Sequence, residues 1–201
     1  MRDKRVRDLV FLAVFSSIII LMSFVPFLGF LPIPFLGAPI TLIPIPVVIG
    51  AIFLKRQYAW VLGLVFGLCS LAVSYLMGAT PFDELFRNPL VSVLPRVIFA
   101  ILAYEYFQLF SKTGLAKKAT YAISSALAVF SHTILVIIPL IFFGQRKIYE
   151  DLPVIPSGSY LVAMLIGVLV VAMIEWVVTP LVATPALIAL DSAQSDYQEQ
   201  I

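Results

Sequence analysis

Apolar runs of about 20 residues, the length that carries a helix across a ~30 Å hydrocarbon core, alternate along this chain with short segments that hold most of its charges. The pattern predicts six transmembrane helices, at residues 6–27, 40–54, 58–77, 89–110, 118–143 and 159–179. With their connections they take up the length, so residues 1–201 read as one all-α transmembrane domain with no soluble catalytic module. After Thr179 the sequence stays apolar but contains Pro180 and Pro185, which predicts a kinked or interfacial piece leaving the sixth helix. A short polar tail at 191–201 is expected to be cytoplasmic and frayed.

Basic residues orient these spans. With the N-terminus inside, the inner segments hold Arg2, Lys4, Arg5, Arg7, Lys55, Arg56, Lys112, Lys117 and Lys118, against Arg87, Arg146 and Lys147 in the outer loops. The positive-inside rule then puts both termini in the cytoplasm. The basic start followed by the apolar run 9–27 is too long for a signal-peptide core and lacks an A-x-A cleavage site, so it reads as a retained first helix.

The connection between the first two spans departs from an ordinary loop. Residues 26–46 contain Pro26, Pro32, Pro34, Pro39, Pro44 and Pro46, with Gly29 and Gly37 and no charge. Pro44 disfavours helix at Ile43, while Pro46 suits a first helical turn. A helix from Pro46 would rise only about 13 Å by Leu54. The segment before it is therefore expected to enter the membrane region in non-helical or kinked form, packed in protein or facing a polar cavity.

Composition narrows the class. The chain is 62% hydrophobic and 12% charged, where soluble domains carry about a quarter charged residues. Its net charge of +2, scattered at membrane edges, argues against nucleic acid as a partner. Cys69 is the single cysteine and His132 the single histidine, so neither an internal disulfide nor a cysteine-rich or histidine-based metal site is expected. There is no H-E-x-x-H, G-x-S-x-G or P-loop lysine motif. The sequence therefore points to no enzyme, and to no cofactor bound by this chain.

Candidate chemistry lies in the polar residues within the apolar runs. Arg96 falls about 10 Å into the fourth span, where an unpaired arginine costs on the order of 3 kcal/mol or more and normally faces the bundle interior. Asn88, Ser92 and Arg96, spaced by four, share one helical face leading inward. A guanidinium with neutral polar neighbours grips a carboxylate bidentately. The alternatives for Arg96 are snorkelling to the outer face or an ion pair with Glu175, since Glu105 lies about 13 Å further along the same helix. Glu175 is placed in the inner half of the sixth span, as a structural, docking or protonated buried carboxylate. His132, with Thr133, is a candidate solute ligand or an interhelical hydrogen-bonding group. Tyr75, Gln145 and Tyr160 sit near outer ends as rim candidates or interfacial residues. Small residues form a second pattern. Ala13 and Ser17 lie on the first span, and Gly63 and Gly67 on the third with Ser70 and Ser74, suited to close packing in the bundle or to a partner.

Several of these runs resemble the substrate-binding S components of energy-coupling factor (ECF) vitamin transporters. The likeness rests on Ala13-Val-Phe-Ser-Ser17, similar to that family's Ala-x-x-x-Ala motif, on ITLIPIPVVIG at 40–50, on GLVFG at 63–67 and on NPLVSVLPR at 88–96. The last looks most like the pantothenate type. Ser17 stands in place of the motif's second alanine, and Pro44 where many relatives carry a polar residue such as histidine. The resemblance implies a six-helix subunit in a prokaryotic cytoplasmic membrane that binds a vitamin near the outer face. Its first helix, through Ala13 and Ser17, would dock on a transmembrane coupling protein, with two partner ATPase subunits supplying ATP and magnesium chemistry. Substrate candidates are Arg96, Asn88, Ser92, His132, Tyr75 and Tyr160, with pantothenate the first choice and pyridoxine, hydroxymethylpyrimidine or folate the alternatives. Glu175 and His132 also leave open a stand-alone proton-coupled carrier, while no converging nucleophile, base and orienting group favours a membrane enzyme.

Overall fold

The computed structural model describes residues 2–25, 27–31, 39–78, 81–151 and 157–199, and they form a bundle of helices with one short hairpin. In chain order these are α1 (Arg2–Phe24), β1 (Phe30–Leu31), β2 (Ile40–Thr41), α2 (Pro44–Phe53), α3 (Arg56–Leu76), α4 (Pro81–Leu85), α5 (Pro89–Ser92), α6 (Leu94–Ser111), α7 (Lys117–Asp151) and α8 (Ser157–Glu199). The stretches Lys4–Phe24, Arg56–Leu76, Pro89–Ser111, Lys117–Phe143 and Leu165–Ser195 are long and apolar enough to cross a bilayer.

The short helix α2 organises the core. Its 10 residues rise about 15 Å, half a hydrocarbon thickness. A helix that is apolar all round must be buried. Val47, Val48 and Ala51 accordingly have no exposed surface, and α2 packs on α1, α3, α6, α7 and α8. The residues before it are not helical as expected for a span beginning at 40. Ile40 and Thr41 instead pair antiparallel with Leu31 and Phe30, and Leu42 N donates to Gly29 O at 2.8 Å. The hairpin satisfies backbone groups that a helix through Pro44 would have left open, in protein rather than lipid. The middle of the proline-rich connection, 32–38, lies outside the described residues.

The fourth predicted span corresponds to Pro89–Ser111, α5 passing into α6 through Val93 in helical backbone conformation. One further boundary differs from the pattern. The sixth does not end at Thr179: α8 runs on through Pro180 and Pro185 to Glu199, 43 residues in all, so the tail is helical through Glu199. Each proline removes one backbone donor, but Ala183 and Leu187 are buried in the same core as α2. That packing holds the helix in line where proline alone would let it turn away.

Charged pairs collect at one end of the bundle. Asp8 meets Arg7 and Lys55, both at 3.3 Å, Arg56 meets Glu105 at 2.6 Å, and Lys117 meets Asp191. The hairpin, α4 and the Arg87–Glu84 pair at 3.6 Å lie at the other end.

The Gly63 and Gly67 pair is used inside the bundle. A Cβ on Gly63 would stand 2.5 Å from Arg96 O, and one on Gly67 2.7 Å from Val93 Cα. These glycines let α3 reach the backbone of α6 at its start. Gly63→Leu should therefore destabilise the protein by about 1–3 kcal/mol through overpacking. Thermal unfolding of detergent-purified protein checks this, and an unshifted midpoint would show that the two helices are not in close contact.

Candidate functional site

A proline places the central cation. Pro95 has no backbone N–H, so the carbonyl four residues earlier, that of Val91, loses its helical donor. Arg96 Nη1 supplies the replacement, donating to Val91 O at 2.5 Å. The guanidinium thus folds back along its own helix into the bundle, with 6% of the residue exposed. It lies against the ring faces of Phe86 and Phe66, 4.9 and 5.6 Å from their centroids, a favourable seat for a cation. Its Nε is buried without a hydrogen-bond partner among the described residues. No carboxylate among them stands within 4.0 Å of it.

His132 on α7 shares the Phe66 ring. Its imidazole lies 5.8 Å from Phe66 and 4.7 Å from Phe99, centroid to centroid. Its Nε2 is also buried and without a partner among the described residues. Two nitrogens needing acceptors or donors therefore flank one aromatic ring.

On the facing side, Glu175 of α8 anchors the hairpin. Glu175 Oε1 accepts from both Thr41 N and Thr41 Oγ1, each at 2.6 Å. The carboxylate stands in for a third strand partner and ties β2 to α8.

These groups line a cavity of about 400 Å³, within the ~300–1,000 Å³ range of small-molecule sites. Its wall comes from α1, the hairpin, α3, α4, α6, α7 and α8, and is mostly apolar, with Arg96, His132, Thr133, Glu175, Thr41, Ser23, Ser70, Ser74 and Asp83 as the polar exceptions. A mostly apolar chamber with a few convergent polar groups suits a small polar solute. Residues 7–187 match the family described as ECF transporter, substrate-specific component.

The chain belongs to that family. It is also similar to the protein called pantothenate transporter PanT from Leuconostoc mesenteroides subsp. mesenteroides, with 28% identity over 104 residues. That match covers 51% of this chain and 51% of that protein, so it spans about half of each. As in a transport subunit, several apolar helices here surround a chamber, and the family is one of substrate-specific components.

In this S component the structure brings together Arg96, His132 and Glu175, which the sequence left as separate candidates. Asn88, Ser92 and Tyr75 do not line the chamber. Asn88 caps α5, its Oδ1 accepting from Leu90 N at 2.9 Å, and Ser92 Oγ donates to Asn88 O at 3.1 Å. Both polar groups are thus spent on the first turn of the span rather than offered to the chamber. Tyr75 is 62% exposed, donating to Arg87 O at 3.3 Å with the Arg87 guanidinium over its ring. The side chains of Tyr160 and Gln145 lie outside the described residues. Neither proposed internal partner of Arg96 is paired with it, for Glu105 is taken by Arg56 and Glu175 by Thr41. Because α8 continues past its prolines, Glu175 sits at chamber level rather than toward the inner surface. Thr41 went unnoticed, although it is the sole hydrogen-bonding side chain between Ser23 and Lys55. Thr41→Val should remove one charge-assisted bond, worth about 1.5–3 kcal/mol. Hydrogen exchange at the hairpin amides is then expected to quicken by roughly tenfold or more, and unchanged exchange would show that Glu175 does not hold the hairpin.

Proposed function

We propose that this chain captures an anionic vitamin, pantothenate in the first place, as the binding subunit of an ATP-driven importer. The observation that carries the reading is Arg96, a buried cation with no carboxylate within 4.0 Å among the described residues, on the wall of a chamber of small-molecule size. Such a group is tolerated in a membrane domain when it meets a counter-charge at work, and a ligand carboxylate supplies one. The similarity to pantothenate transporter PanT supports the choice of vitamin.

The chain would work with six spans, both termini in the cytoplasm. The inner excess of basic residues and the charged pairs gathered at the end opposite the chamber support that orientation. The vitamin would then enter from the outer side, past the hairpin. Ala13 and Ser17 lie on an exposed face of α1 together with Val10, Val14 and Leu21, and Ser17 Oγ is turned inward to Ala13 O at 2.8 Å. This smooth strip is the proposed contact with a transmembrane coupling protein, while partner ATPases would bind ATP and magnesium.

Binding to purified protein tests the anchor. Arg96→Ala should lower pantothenate affinity at least a hundredfold, equivalent to about 2.7 kcal/mol, while leaving the helical content unchanged. Equal affinity would remove Arg96 as the anchor. Vesicles test the assembly: the chain alone should accumulate no pantothenate under a pH gradient, and should do so with ATP once an energy-coupling module is added. Uptake by the chain alone would instead favour a proton-coupled carrier.

A further inference from the structure

The chamber wall carries two opposite charges that do not close on each other. Arg96 and Glu175 are both 6% exposed and both line the space, yet they form no ion pair at 4.0 Å or less. Each is incompletely satisfied, in a complementary way. Arg96 Nε lacks an acceptor. Glu175 Oε1 takes both bonds from Thr41, while Oε2 accepts none among the described residues and is not among the atoms sealed away from the chamber.

A ligand with only a carboxylate would satisfy Arg96 but leave Glu175 Oε2 without a partner at a buried position, which costs free energy. A ligand that also carries a hydroxyl donor satisfies both groups at once. We infer that this chamber selects hydroxylated monocarboxylates, with the anion on Arg96 and a hydroxyl donating to Glu175 Oε2, so that Glu175 is a specificity-determining residue and simple aliphatic or aromatic acids are rejected. The inference rests on the reading of Arg96 as the anion anchor. Thr41 contributes by holding Glu175 in place through the other oxygen, and Asp83, on α4, is the other carboxylate on the wall.

The test compares pantothenate with its analogue in which both hydroxyls are replaced by hydrogen, by calorimetric titration of the full chain in detergent. Wild-type protein should bind pantothenate at least tenfold more tightly than the analogue. Equal affinities would overturn the inference outright. In Glu175→Gln the amide oxygen can still accept from Thr41, leaving an N–H donor where Oε2 stood. Pantothenate affinity should fall at least tenfold, while the analogue, which makes no contact with Oε2, should bind as well as before. Equal losses for both ligands would reduce Glu175 to a structural role. Thr41→Val, which keeps the carboxylate but removes one of the two bonds that hold it, should weaken pantothenate more than the analogue, and an equal loss for both would show that the hold on Glu175 does not serve the hydroxyl contact. Arg96→Gln should weaken both, whereas unchanged affinities there would overturn the anion anchor itself, a result distinct from failure of the Glu175 assignment alone.

Discussion

A guanidinium kept among helices without a carboxylate against it among the described residues is the constraint from which the rest of this structure follows. Arg96 is tolerated because three separate features substitute for an ion pair: the Val91 carbonyl released by Pro95, and the faces of Phe66 and Phe86. Each offers partial negative charge without neutralising the group. The cation is stabilised enough to remain buried, yet keeps the capacity to take an anion. Gly63 and Gly67 serve the same end at a distance, since they let α3 approach the start of α6 and so bring Phe66 over the guanidinium.

Proline runs through the architecture as a means of freeing or withholding backbone groups. At Pro44 it starts a short buried helix and leaves the preceding residues to pair as a strand. At Pro95 it frees the carbonyl that orients Arg96. At Pro180 and Pro185 the helix continues, because Ala183 and Leu187 are held in the core. The same residue type thus begins one helix, aims a side chain in a second and is absorbed by a third. Packing decides which outcome prevails.

The hairpin ties one wall of the chamber to the helical bundle. Thr41 reaches Glu175 through both its backbone amide and its hydroxyl, so a single carboxylate on α8 reports whether the hairpin is in place. Those two bonds and the ladder of β1 with β2 also explain how an uncharged, proline-rich segment can sit against a membrane domain, since the backbone groups of β1 and β2 find partners within protein.

Much of this was legible in the residues themselves. Hydrophobic runs separated by charges determined the helical membrane domain, because in lipid a helix is the way for a single segment to satisfy its own backbone. The rarity of polar side chains within those runs singled out Arg96, His132 and Glu175 one by one. What the sequence did not determine was their company. Spacing by four joined Asn88 and Ser92 to Arg96 on one helix, but Asn88 spends its side chain capping α5 and Ser92 its hydroxyl on the Asn88 carbonyl. Glu175 and Thr41 are 134 positions apart, and no local pattern encodes a contact between a strand after a proline-rich loop and the middle of the last helix. Only the packing of α8 across its prolines decided that a carboxylate would face the hairpin and share a chamber with an arginine. The physical reason is that local pattern reports which groups are unwelcome in lipid, whereas the partner each one finds depends on where distant helices come to rest.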